Sequence, residues 1–121
     1  MNDITIATHN GNFHADDVFS VAALKSIFSS FTLIRTRDLD IIAKADIVID
    51  VGGEYDPEEG RFDHHQRGGA GERDNGIPYS SFGLIWKKYG LDICQGNQDV
   101  ANALDAGLVS TIDAIDCGHV K

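Results

Sequence analysis

The sequence predicts a single α/β domain with a mainly parallel sheet flanked by helices. Three observations predict this fold class: short β-prone segments alternate with segments of helical periodicity, one apolar segment is continuous, and the chain has 121 residues. Alternating strands and helices are typical of a parallel sheet with right-handed crossovers. A chain of this length fits one domain with its own core.

The first half of the chain alternates strand and helix signals. Residues 4–7 are β-prone and lead into a loop rich in turn formers. Residues 13–29 carry apolar side chains three and four apart, with acidic residues in the first turn, which predicts a helix. Residues 31–35 predict a second strand, and 38–45 predict a short helix or turn. Residues 45–51 predict a third strand, whose continuous apolar run suits burial on both faces.

The second half begins with a predicted hairpin over residues 55–63. Residues 66–76 are rich in Gly and charged residues, which predicts a mobile loop. A helix is predicted over 78–89, with a proline in its first turn and Gly90 as its stop. Residues 99–112 predict a further helix, because their apolar residues recur four apart.

Composition narrows the class of function. The formal net charge of −9 argues against a protein that coats nucleic acid, since phosphate neutralisation needs a basic face. It leaves open an enzyme of phosphate esters, because acidic clusters that hold divalent cations are negative only without their metals. The two cysteines lack metal-site spacing, and the sequence has neither a membrane-length apolar run nor a signal-peptide pattern. We therefore expect a reduced, cytoplasmic protein without a membrane partner.

The triplet Asp63-His64-His65 is the strongest chemical signal in the chain. Imidazole and carboxylate are ligands that suit manganese, iron, cobalt and zinc. Further residues of the same types lie near predicted strand ends or at the start of the first helix: His9, His14, Asp16, Asp17 and Asp50. In an open α/β sheet, ligands bind beyond the carboxyl ends of the strands. We therefore expect these clusters to meet at one edge of the sheet.

The number of candidate ligands exceeds what a single tetrahedral zinc uses and indicates a pair of ions. Two ions roughly 3.5–4 Å apart lower the pKa of a bridging water and hold a phosphoryl group for in-line attack. Such a site needs a bridging carboxylate, and Asp50 is the strongest candidate because a strand end fixes it between the other clusters. Asp113 or Asp116, past the last predicted helix, could add a further ligand.

Five segments together resemble the Myg-one (melanocyte proliferating gene one) family of DHH-like metal-dependent phosphoesterases and exonucleases. They are residues 8–17, 49–53, 62–67, 80–86 and 113–116, with the sequences THNGNFHADD, IDVGG, FDHHQR, SSFGLIW and DAID. The resemblance implies a DHH-phosphoesterase-like N-terminal catalytic domain over residues 1–121. The superfamily usually adds a second domain that grips the substrate, so we expect this chain to be a truncated form that lacks it.

The resemblance also implies the activity, which is phosphodiester hydrolysis by a metal-activated water, most similar to that of 3′–5′ RNA exonucleases. It implies two divalent ions, with Mn²⁺ first and Mg²⁺, Co²⁺, Fe²⁺ or Zn²⁺ as alternatives. The implied catalytic residues are Asp50, Asp63 and His64. The implied metal ligands are His9, His14, Asp16, Asp50, Asp63, His64, His65 and Asp113. Histidine at position 14 departs from the aspartate found in most members of the superfamily.

Several assignments stay open in the sequence. Asp113 is favoured slightly over Asp116, and Asp17 could serve only the helix dipole. Arg67, Ser80 and Ser81 are candidate substrate-binding residues, and the two serines are also candidate helix caps. Besides RNA, the substrate could be pyrophosphate or a small nucleotide, and a module that binds metal or nucleotide without catalysis is the non-enzyme alternative. Association into a homodimer is a further option.

Overall fold

A computed structural model of the protein describes residues 4–117. Its strands are β1 (Ile4–Thr8), β2 (Phe31–Arg35), β3 (Ile47–Ile49), β4 (Tyr55–Asp56) and β5 (Arg61–Phe62). Its helices are α1 (Ala15–Ile27), α2 (Leu39–Lys44), α3 (Ser81–Ile93), α4 (Gln98–Leu104) and α5 (Ser110–Asp116). The five strands form one sheet in the order β2-β1-β3-β5-β4. All neighbouring pairs are parallel except β4 and β5, which form the predicted hairpin. The predicted α/β fold is confirmed.

Both faces of the sheet are covered, as expected for a parallel sheet. Alternate residues of β3 point to opposite sides: Ile47 and Ile49 join the larger core, and Val48 joins a smaller one. The larger core packs the sheet against α1 and α3, which supply Leu24 and Leu84. The smaller core lies under α2. A third cluster lies where α3 meets the helices that follow it: Phe82, Trp86, Val109 and Ile112.

The predicted bounds of the third strand and of the helix over 78–89 were wrong. The strand runs only from Ile47 to Ile49, and it ends there because Asp50 adopts a left-handed backbone with a φ of 63°. Helix α3 begins at Ser81 rather than at Pro78 and continues through Gly90 to Ile93. Gly90 therefore lies inside the helix and does not stop it. A glycine is needed there because a Cβ atom would overlap the indole of Trp86.

The predicted helix over 99–112 is longer, and its buried face differs from the one that the apolar spacing indicates. A π-helical turn (Asp105–Val109) joins α4 to α5 without a break. Leu104 and Leu108 remain exposed. The buried face carries Ala101, Val109, Ile112 and Asp113 instead, and the partly exposed Asp105 binds the side chain of Arg73 together with Asp113.

The Gly-rich segment 66–76 was predicted to be a mobile loop, but contacts tie it to the helices. Arg73 forms a two-bond fork with Asp105 and a third bond with Asp113. Glu72 pairs with Pro78 in an isolated antiparallel bridge.

None of the helices in residues 4–117 combines the length and apolar character needed to cross a membrane.

Candidate metal centre

The candidate ligands meet where the sheet topology places the carboxyl ends of neighbouring strands. His9 follows β1, Asp50 follows β3, and the Asp63-His64-His65 triplet follows β5. Strands β1, β3 and β5 are adjacent in the sheet and parallel, so their ends lie side by side. Helix α1, which starts after β1, brings acidic residues to the same edge. The predicted convergence of these residues at one sheet edge is therefore present.

The first group of ligand atoms consists of His9, Asp17 and Asp50, all of them buried. The Nε2 atom of His9 lies 2.5 Å from Asp17 Oδ2 and 3.4 Å from Asp50 Oδ2. The other ring nitrogen of His9, Nδ1, lies 2.9 Å from the backbone carbonyl oxygen of Asn10, which fixes the ring plane. Burial alone would lower the pKa of His9, but the Asn10 carbonyl and the carboxylates outweigh it and raise that pKa.

The second group is centred on His64. Its Nε2 atom lies 3.0 Å from Asp50 Oδ1, 3.0 Å from Asp116 Oδ2 and 3.6 Å from Asp16 Oδ2. Burial opposes a charged imidazole here, but the nearby carboxylates of Asp116, Asp16 and Asp50 raise the pKa of His64 far above its usual range. One imidazole therefore faces three carboxylates. The ring of His65 stacks on that of His64 at 4.3 Å between centroids, and its Nδ1 lies 3.4 Å from Asp50 Oδ1, so the predicted ligand His65 forms a possible ligand group with Asp50 and His64.

Asp50 joins the two groups, since Oδ2 faces His9 and Oδ1 faces His64. Its side chain is almost fully buried, and Ser81 donates a further bond of 3.3 Å to Oδ1. Burial, reinforced by the neighbouring charge of Asp17, raises the pKa of Asp50 to about 7 despite the contact with His64. Excess negative charge in a buried space accounts for this shift. A carboxylate shared in this way has the arrangement of a bridging ligand.

Two carboxylate oxygens at this edge have no hydrogen-bond partner within the described part of the chain. They are Asp16 Oδ2 and Asp17 Oδ1, both fully buried. A buried polar atom without a partner costs free energy, and buried charges in proteins are paired or coordinate metals. Together with the imidazoles of His9 and His64, these oxygens form a donor set that suits divalent transition metals. The residues therefore fit a metal centre.

Asp63 occupies a different place from the ligand role expected of it. Its Oδ1 accepts bonds from the backbone N–H groups of His64 and His65 and lies 2.7 Å from His65 Nδ1. Its Oδ2 accepts a 2.7 Å bond from the N–H of Gly53. Burial would raise the pKa of Asp63, but the bonds from His65 and Gly53 lower it. Both oxygens are thus engaged in shaping the turn that carries the two histidines.

Asp113 does not join the cluster, contrary to the slight preference for it over Asp116. Its Oδ1 accepts bonds from the backbone N–H and the hydroxyl of Ser80, and its Oδ2 accepts one from Arg73 Nε. The carboxylate also lies against Gly83, where any side chain would overlap it. Asp116, three residues later on the same helix, is the one that faces His64.

The predicted substrate-binding residues and His14 differ in whether they can reach the cavity beside the cluster. Ser80 and Ser81 are fully buried, and Ser81 also donates to the carbonyl oxygen of Phe62, so neither faces a substrate. Arg67 is exposed and does not line the cavity beside the cluster. His14 does line it, although its ring lies 6.1 Å from that of His9 and in none of the ligand groups of residues 4–117.

Sequence reasoning left two contributors without a firm role. Asp17 stayed open between a site residue and a residue of the helix dipole, and its carboxylate binds His9 and also accepts the N–H of His14. Its position two residues into a helix that follows a histidine loop was the available signal. Cys117 lacks metal-site spacing in the sequence, but its sulfur lies 3.9 Å from His64 Nδ1 and forms a possible ligand group with His64 and Asp116.

An open cavity of about 470 Å³ lies beside the cluster. Its walls are formed by the loop after β1, by several of the candidate ligands and by residues near the ends of the neighbouring strands. The lining residues are His9, Asn10, Gly11, Asn12, His14, Arg37, Leu39, Ile42, Asp50, Val51, Gly52, Asp63 and His65. The volume lies within the range of roughly 300–1,000 Å³ that is common for small-molecule sites.

A protein-family model, MYG1_exonuc, described as an uncharacterised protein family (UPF0160), matches residues 5–121. The chain belongs to the MYG1 family. Among its relatives, the MYG1 protein of Dictyostelium discoideum is 36% identical across 98% of this chain and 40% of its own length. The human MYG1 exonuclease is 36% identical across 93% of the chain and 35% of its own length.

A bacterial relative, the MYG1 protein of Chlamydia trachomatis, is 35% identical across 95% of the chain and 38% of its own length. The chain thus spans 35–40% of the length of these MYG1 relatives. No solved structure matches it. The family assignment agrees with the resemblance carried by the sequence motifs.

Proposed function

We propose that this chain carries the metal centre of a phosphodiester hydrolase of the exonuclease type, acting on RNA or short oligonucleotides. The observation that carries the proposal is the pair of ligand groups joined by Asp50, one buried around His9 and one partly buried around His64. The naming of the bovine and human relatives as MYG1 exonucleases supports the reaction class. Two divalent ions are proposed, with Mn²⁺ as the first choice because the donor set mixes imidazole and carboxylate.

The proposed ligands follow from the geometry rather than from the motif alone. His9 and Asp17 would hold one ion, and His64 with Asp16 and Asp116 would hold the other. Asp50 would bridge them. When bound, the ions supply a water of lowered pKa and positive charge opposite the phosphate oxygens. His14 stays a candidate ligand at the cavity wall.

Asp63 is proposed as a positioning residue. Its Oδ1 accepts the backbone N–H groups of His64 and His65, which sets the direction of His64. The contact of the same oxygen with His65 Nδ1 fixes the tautomer of His65. His65 lines the cavity and its side chain is 60% exposed, so it is proposed to contact the phosphate of the substrate. This hydrogen bond from His65 would orient the substrate more precisely than the ions alone.

The test is metal-dependent hydrolysis of bis(p-nitrophenyl) phosphate, a generic phosphodiester, by the full chain. Asp50→Asn keeps the size of the side chain and tolerates the left-handed backbone, but it cannot bridge two ions as a carboxylate does. We expect it to lower the rate at least about 100-fold, beyond the roughly 10–100-fold typical of outer-shell changes. Asp99→Asn, an exposed residue of α4, is the matched control and should keep the wild-type rate.

Short RNA and pyrophosphate are compared in the same assay. Faster turnover of pyrophosphate would replace the exonuclease assignment by a pyrophosphatase. An Asp50→Asn variant that is as active as the wild type would refute the proposed centre altogether.

A further inference from the structure

The cavity beside the metal centre has a cationic group that the metal chemistry does not use. Among its lining residues, all within the described chain, Arg37 is the one Lys or Arg side chain. It shares the cavity wall with His9 and Asp50, which belong to the proposed centre, and with Asn12 and the exposed Leu39. The sequence motifs did not include Arg37.

The guanidinium of Arg37 is fixed close to the centre. Its Nε donates to Asn10 Oδ1 at 3.0 Å, and its Nη2 donates to the Asn10 carbonyl oxygen at 3.4 Å. That same carbonyl lies 2.9 Å from the ring of His9. Asn10 therefore links Arg37 directly to His9, which is a proposed metal ligand. The Nη1 of Arg37 makes no hydrogen bond within residues 4–117, and the residue as a whole is exposed to solvent.

Charge decides what this group can bind. The other ionisable side chains of the cavity are the carboxylates of Asp50 and Asp63 and three histidines. One phosphate of a substrate would lie at the proposed metals. Asn10 occupies the Nε–H and one N–H of Nη2, so the Nη1 group and the second N–H of Nη2 are the paired donors that match two oxygens of a neighbouring phosphate.

We propose that Arg37 binds the phosphate next to the scissile one, so that the cavity selects substrates with two neighbouring phosphoryl groups, as in a nucleic-acid strand. This inference rests on the proposed function, whose scissile phosphate defines the first position. It makes Arg37 a determinant of specificity. A single phosphodiester without a neighbour gains nothing from it.

A second arginine provides a matched control for the alternative that Arg37 only holds the loop. Arg35 also donates to that loop, at the carbonyl oxygen of Gly11, and lies over the ring of Phe13 at 4.0 Å. It does not line the cavity. Replacing Arg35 therefore removes a loop contact and leaves the phosphate position intact.

The experiment measures binding by calorimetry in the presence of Mn²⁺. The probes are uridine dinucleotides with a phosphorothioate linkage, which slows cleavage, carrying no terminal phosphate, a 5′-phosphate or a 3′-phosphate. The wild-type chain should prefer one phosphorylated probe over the unphosphorylated one by roughly 10-fold or more, as expected for a hydrogen-bonded ion pair. Arg37→Gln should abolish the preference, and Arg35→Gln should retain it.

Three results would overturn the inference: no preference in the wild type, a preference that survives Arg37→Gln, or an equal loss in Arg35→Gln. The last result would assign both arginines to the loop alone. The proposed function is checked separately by wild-type hydrolysis of bis(p-nitrophenyl) phosphate, which has no neighbouring phosphate. Hydrolysis without a binding preference removes only the role of Arg37, whereas absence of hydrolysis removes the proposed function.

Discussion

At the scale of single residues, Asp50 combines three features that rarely occur together in a residue without a function. It has a left-handed backbone, it is buried, and its pKa is raised to about 7. A left-handed conformation in a residue other than glycine costs of the order of 1 kcal/mol, and strain of this kind clusters at functional sites. The turn aims its two oxygens at His9 and His64, which a continued strand would not do.

Asp63→Asn tests the positioning role of the DHH aspartate. An asparagine amide nitrogen would face a backbone N–H donor, at Gly53 or at the histidines, so at least one bond to the turn is lost. We expect roughly 10–100-fold weaker metal binding and a loss of about 1–3 kcal/mol in the free energy of unfolding. Calorimetric titration with Mn²⁺ and urea denaturation measure the two effects. A variant that unfolds like the wild type and binds metal equally well would show that the turn does not depend on Asp63.

Metal binding should release protons and strengthen as the pH rises. The carboxylates around His64 raise its pKa above the usual range, so the metal-free imidazole is protonated at neutral pH and must lose that proton to bind an ion. Raising the pH lowers the cost of that loss. Calorimetry in buffers of different ionisation enthalpy should report net proton release, and the affinity for Mn²⁺ should rise between about pH 6 and 8. A pH-independent affinity without proton release would contradict the ligand role of His64.

At the scale of elements, Arg73 connects the Gly-rich segment to the helices after α3. Its side chain is 10% exposed, and Asp113 is fully buried, whereas Asp105 is 40% exposed. The carboxylate of Asp113 also accepts two bonds from Ser80, at the start of α3. This network holds α5 against α3, and α5 carries Asp116 to His64 in the candidate metal centre. Arg73 therefore acts on the site indirectly, through the position of α5.

Arg73→Met should destabilise the fold strongly, because it leaves the Asp113 carboxylate buried without its cation. Breaking a buried pair from one side costs about 3–5 kcal/mol. Asp105→Asn, which removes the exposed partner, should cost about 1 kcal/mol or less. Urea denaturation of both variants measures the difference. Equal, small losses would mean that solvent reaches Asp113 and that the network does not fix α5.

The sequence predicted the elements well where the signal is local. Strand β2 has its predicted bounds, and α1 lies within its predicted span, because short-range propensity and periodicity determine both. The inward face of α4 and α5 was not predicted. Arg73, which binds the partly exposed Asp105 and the buried Asp113, is 32 and 40 residues away from them in the sequence.

The same reasoning applies to the candidate site. Asp50, His9 and His64 could be placed together from strand order alone, since parallel strand ends share an edge. Whether Asp16 or Asp17 faces His9 depends on the start and rotation of α1, and the choice between Asp113 and Asp116 depends on a helix packed through a distant arginine. Neither property has a local sequence signal.

At the scale of the whole molecule, four separate parts of the chain build one centre. The loop after β1 with α1, the end of β3, the turn after β5 and the end of α5 each contribute at least one carboxylate or imidazole. All of them lie within the region that matches the MYG1 family. The chain spans 35–40% of the length of the MYG1 relatives described above, so this centre lies in the part of them that it covers.

Metal content of the folded chain is the most direct test. The protein is loaded with Mn²⁺, freed of excess metal by gel filtration, and measured by elemental analysis and native mass spectrometry. We expect two ions per chain in the wild type and in Asp99→Asn, and a lower content in Asp50→Asn because the bridge is lost. A wild-type chain that retains one ion or none, or an Asp50→Asn variant that retains two, would contradict a two-metal centre bridged by Asp50.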